Sequence, residues 1–410
     1  MPFCSYFWGM IVCTTVLLAE VSVSAQTMTD FALWKEVQNA EAVPNWTGQM
    51  LRRFRDVTGT ARDELLAQTL SALKDIVSDS NVVPSTRYNA ILAAGQLVSK
   101  EPSPGNPPVA YPAALTYLIE VYQKTNTPHY LKYGALLGIV RHTHTGIDPD
   151  HQNNVIDLLL ETVTTEFKPG EVTLDSLPLE PAAWDWFRQT ALDGLAALKT
   201  VGTNNKIVTE LLAVINHQSQ ELEELLDSQS MFTRKEWVQS RRVTELASKA
   251  AKTLGDLNYT SVTNIDAKKM TDTFVRLTKS VCDVELKMIA DSIEQGGTSP
   301  APAVLLERIV VNVKMCTQSV VWGIRGGFLT AGKPEEYSFY ASLESDDPTV
   351  RRLDILLAAI IELATFFDEG NPPRRSVLSA NVQREFQFSL SELQDALTKI
   401  SDALTRQTVM

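Results

Sequence analysis

The chain has 410 residues, 44% of them hydrophobic, and a net charge of −12 from 37 basic and 49 acidic residues. That length can bury one large core, two ordinary ones or an elongated stack. The acidity, with no long basic stripe, argues against a nucleic-acid partner and is read as a source of solubility.

Residues 1–25 read as an export signal. Tyr6 to Ala19 is mostly apolar, and Val23, Ser24 and Ala25 offer small residues for cleavage before Gln26. No Lys or Arg precedes the apolar run, and Glu20 closes it too early for a comfortable membrane span. The expected product is exported, periplasmic or extracellular, with no stable membrane span after cleavage. Of four cysteines, Cys282 and Cys316 would remain. Two are too few for a disulfide scaffold. If their helices form a hairpin turning near Thr298, they lie at nearly equal distances from the turn, within reach of a single bridge.

Residues 26–60 form a lead-in, with a short helical pattern at Phe31, Leu33, Trp34 and Val37. From residue 61 the helical patterns come in pairs. Leu65, Leu66, Leu70, Leu73, Ile76 and Val77 make one apolar stripe, and a second helix follows Pro84. The linker Glu101 to Pro108 holds four prolines and cannot be helical. Tyr111 to Tyr122 is the next first helix. Thr127 and Pro128 open its partner, and Asp148 with Pro149 opens a third pair in the same manner. A long linker, Lys168 to Glu180, leads to a helix entered at Pro181 and left near Gly202. Asn204 to Asp227 and Lys235 to Gly255 make a fourth pair. The region 258–410 is helical but repeats less clearly, with helices expected over Ile265–Glu294, Ala301–Trp322, Asp346–Phe367 and Arg384–Arg406. The glycine-rich run from Trp322 to Phe328 lacks the lysine of a phosphate loop and reads as a helix end.

One pattern recurs in the second helices. Arg87 is followed by Ala90, Lys132 by Ala135 and Arg188 by Ala191; Arg242, with Ala250 beyond it, is a weaker fourth copy. The cation can lay its stem on a neighbouring helix while its head stays wet. The alanine three positions on shares its face and lets another helix approach closely. The copies are 45 and 56 residues apart, near the period of two-helix repeats. These residues resemble the middle of the HEAT-repeat pattern, and Asp347, Pro348, Val350 and Arg351 are similar to the opening of a family second helix. The resemblance covers about 61–257. It implies an all-α fold in which antiparallel helix pairs stack as an α-α superhelix, with a less regular helical C-terminal third over 258–410. It also implies a protein-binding or structural surface, with Arg87, Lys132, Arg188 and Arg242 along one face, either bridging layers or meeting an acidic partner.

One cluster carries metal-ligand chemistry. His142, His144, Asp148, Asp150 and His151 set imidazoles and carboxylates within ten residues. A competing account assigns His142 to the last turn of a helix and Asp148 to a cap. No nucleophile elbow, zinc-protease motif or haem-attachment motif occurs, and no cofactor is expected. The leading function is an exported, non-enzymatic helical repeat protein serving as an interaction scaffold for a protein partner whose identity stays open. The alternatives are a metal-binding protein or metal-assisted hydrolase centred on His142–His151, and an α-helical ligand-binding protein.

Overall fold

Proline punctuates this chain. In the computed structural model, six of the twelve α-helices among the described residues start on one, because the fixed φ suits a first turn whose N–H would be unsatisfied anyway. The structure describes residues 54, 57–166, 181–227, 231–260, 262, 264–294, 302–327, 333–345, 347–369 and 390–409. The export signal at 1–25, nearly all of the lead-in at 26–60 and the whole Lys168–Glu180 linker lie outside them.

The helices are α1 Thr60–Ser78, α2 Pro84–Ala94, α3 Pro112–Gln123, α4 His129–Thr145, α5 Pro149–Thr164, α6 Pro181–Leu198, α7 Lys206–Asp227, α8 Arg234–Asp256, α9 Ala267–Glu294, α10 Pro302–Arg325, α11 Pro348–Glu369 and α12 Leu390–Val409. The fold is all-α. The one sheet among the described residues pairs β1 (Val98–Lys100) with β2 (Val109–Ala110), antiparallel. Side chains reinforce several starts. Asp148 and Asp347 each stand before a proline and accept the backbone N–H two residues on, at 3.0 and 2.7 Å. Thr233 and Glu236 close a capping box at the head of α8. The glycine run ends α10, with Gly326 at a φ of 69°.

The chain divides into two compact units, one of residues 1–155 with 169–179 and one of 156–168 with 180–410, so the division falls inside α5. In the first unit α1 pairs with α2, α3 with α4, and α2 also packs on α4. That last contact is close, since a Cβ on Gly95 would sit 2.4 Å from the Gly138 Cα. Arg62, 7% exposed, ties α1 to the hairpin. It donates to the Ser99 carbonyl at 3.0 Å and the Val98 carbonyl at 2.9 Å, and pairs with Glu101 at 2.8 Å.

In the second unit α7 pairs with α8, α9 with α10, and α11 with α12. Each layer also links helices two apart: α6 with α8, α8 with α10, α7 with α9, and α9 with α11. These contacts run across residue 257. The α8–α10 crossing depends on glycine, because a Cβ on Gly255 would meet the Trp322 carbonyl at 2.0 Å. Ala90, Ala135 and Ala191, the small members of the recurring pattern, are fully buried.

Candidate functional site

The recurring arginines perform one identifiable job. The last four carbonyls of an α-helix have no partner within it. Arg87 of α2 donates Nε to the Val77 carbonyl in the last turn of α1 at 2.9 Å. Arg188 of α6 donates Nε to the Val163 carbonyl in the last turn of α5 at 2.8 Å. In both cases an arginine on one helix caps the last turn of the helix before it in the chain. Arg242 of α8 makes a lateral link instead, placing Nε 2.6 Å from Asp185 Oδ2 on α6. Lys132 is half-buried on α4. Arg188 and Arg242 are thus brought together in the second unit, while Arg87 and Lys132 lie in the first.

Arg188 and Arg242 border a groove of about 830 Å³ between the ends of α5 and α6, α7 and the start of α8. Trp184 anchors its wall, donating Nε1 to the Thr165 carbonyl at 3.1 Å and stacking on Phe187 with centroids 5.4 Å apart. Asp185 is buried beneath, paired with Arg242. Burial holds the Arg188 guanidinium below its ordinary value, opposed by the carboxylates of Asp185 and Glu221. His217 Nε2 lies 3.3 Å from Glu221 Oε1. Arg188, Arg234 and Lys235 line the groove and form no ion pair among the described residues.

The metal candidates do not converge. His142 is 1% exposed, and neither ring nitrogen has a hydrogen-bond partner. Burial, with the Arg141 charge, lowers its pKa to about 4. His144 is exposed, as are Asp148 and Asp150, and His151 is half-buried. Asp148 is committed to the start of α5. Among the described residues no group of three or more His, Cys, Asp or Glu side chains is placed to hold a metal ion. Cys282 and Cys316 are free thiols, both buried. Burial pushes the Cys316 thiol up to about 12. The Cys282 thiol is also pushed well above its ordinary value, first by burial and then by the nearby Cys316.

The structure also holds a site that the sequence reading passed over. A cavity of about 450 Å³ opens between α8, α9 and α10. Glu285 lies in it, 1% exposed, with Oε1 accepting from Asn312 Nδ2 at 2.9 Å and Oε2 without a partner. Burial raises this carboxyl to about 8, against the pull of the Asn312 hydrogen bond. The signal was an acid on the apolar stripe of Val281, Val284 and Met288.

Compared with known proteins, the chain matches no family model, no curated protein and no solved structure.

Proposed function

We propose that this protein is an exported helical interaction module, built of stacked helix pairs resembling HEAT repeats, whose groove beside α6–α8 receives an acidic segment of a protein partner. The observation that carries this reading is the groove's charge. Arg234 and Lys235 form no ion pair among the described residues, and with Arg188 and Arg242 they outnumber the groove's carboxylates, Glu166, Asp185 and Glu221, in a chain whose net charge is −12. Unspent cations in a concave, partly apolar surface favour an anionic guest and reject a basic one. The contacts between helices two apart, repeated in both layers of the second unit, favour the repeat resemblance.

The test uses an array of Asp- and Glu-rich peptides against the mature chain and against a variant carrying Arg234→Glu and Lys235→Glu. Both positions are exposed, so the melting temperature should hold while peptide retention falls at least tenfold and becomes insensitive to salt. Equal retention by the two proteins would overturn the reading. Export is checked separately, by N-terminal sequencing of fractionated cells, with Gln26 as the expected first residue.

A further inference from the structure

The Glu285 cavity has its own chemistry, although Arg234 and Val238 line both it and the peptide groove. Three observations define it. Its walls are mainly apolar, formed by Trp237, Met288, Leu305 and Ile309 with the exposed Val238 and Val311. Two of its lining residues carry a buried polar atom without a partner among the described residues: Glu285 Oε2 and the Trp237 indole Nε1. Unpaired buried groups of this kind are costly, so an occupant that satisfies both gains what the empty cavity forfeits. Finally, Arg234 and Arg308 border the cavity and form no ion pair among the described residues, whereas Arg241 beside them is paired with Glu245 at 2.7 Å. Arg308 is positioned by the Trp237 ring, 5.7 Å from its centroid.

We propose that the cavity between α8, α9 and α10 binds a small amphipathic carboxylate, whose anion meets Arg234 and Arg308 and whose apolar body carries a hydroxyl or N–H to Glu285 and Trp237. The volume suits a compact aromatic or branched aliphatic molecule. Guanidinium groups match carboxylate geometry with two parallel hydrogen bonds. A cationic amine would suit Glu285 and Glu307, the two acids lining the cavity, but would have to pass three arginines. The Glu285 carboxyl, held mainly in its neutral form by burial near pH 7, does not repel the anion.

The experiment is calorimetric titration of the full chain with para-hydroxyphenylacetate and indoleacetate. Tyramine, in which an amine replaces the carboxylate, and para-cresol, which has no charge, serve as controls. The carboxylates should bind and both controls should be at least tenfold weaker. Arg308→Ala and Arg234→Ala should each weaken carboxylate binding about tenfold, the scale of one charge-assisted contact. Glu285→Leu keeps the volume and removes the polar floor. It should abolish the preference for para-hydroxyphenylacetate over phenylacetate while leaving the circular dichroism spectrum unchanged. Tyramine binding as tightly as the carboxylates, no binding by any compound, or carboxylate binding unaffected by both arginine variants would each overturn the proposal. The Arg234→Glu and Lys235→Glu peptide test can fail without touching the Arg308 and Glu285 outcomes, so the two readings stand or fall separately.

Discussion

Each unit buries an ionisable group that has an unpartnered polar atom among the described residues, and the two are handled in opposite ways. In the first, His142 sits on the face of α4 that carries Ala135 and Ile139, with neither nitrogen satisfied. In the second, Glu285 lines a cavity, with Asn312 on one oxygen and the other buried without a partner among the described residues. Both groups are kept neutral by burial. Glu285 lines a cavity with room for a molecule that could repay the loss. A buried polar atom points to a binding site when an accessible space adjoins it, and otherwise it is a packing cost that the core absorbs.

The pH dependence separates the two groups most sharply. Glu285 has its pKa raised from 4.5 to about 8. Between those values the native chain holds a proton that the unfolded chain has released, so its contribution is complete below 4.5 and is lost as pH rises toward 8. The shift corresponds to about 5 kcal/mol across the whole window. Urea unfolding of the second unit should therefore weaken from pH 5 to pH 8, and Glu285→Gln should flatten that slope.

His142 runs the other way. Its pKa falls from 6.5 to about 4, so the unfolded chain takes up a proton that the native imidazole refuses. The stability is present above 6.5 and is lost as pH drops through 4, about 3 kcal/mol in all. Exchange protection of the α4 amides, corrected for intrinsic rates, should fall from pH 7 to pH 4 in the wild type. His142→Leu removes two orphan polar atoms at similar volume. It should abolish this loss and raise stability at pH 7 by about 1–3 kcal/mol.

Much of the architecture was legible in the sequence. The prolines at 149, 181 and 348 marked helix starts because a proline ring suits a first turn and little else in a helix, whereas Pro128, expected in a first turn behind Thr127, is itself the N-cap of α4. The cation-and-alanine recurrence identified Arg87 and Arg188, whose positions follow from helix periodicity. The β1–β2 hairpin was not legible, since strands of three and two residues flanking a proline-rich stretch carry no alternation to read. Nor was the division into units, because α5 runs through it without a break. The histidine cluster misled for a geometric reason. Residues two apart on a helix point to nearly opposite sides, so His142 turned inward while His144 stayed in water. Glu285 was visible as an acid on an apolar stripe, but periodicity alone treats such a residue as an interruption rather than a site.

The smallest expected effect tests whether the two units share a construction rule despite their different buried groups. Arg87 and Arg188 each donate Nε to a carbonyl in the last turn of the preceding helix. If this is the cap that holds each pair together, Arg87→Met and Arg188→Met should cost similar amounts. Methionine keeps much of the aliphatic stem, so packing is largely retained and the loss isolates the hydrogen bond. Both arginines are partly exposed, and water can partly replace the lost donor, which holds the expected cost to about 1–2 kcal/mol per site. The variants should also lose amide protection locally, at the end of α1 in one case and the end of α5 in the other. Arg188→Met without any loss at α5, alongside weakened peptide retention, would move that arginine from the packing of the pair to the binding of the partner.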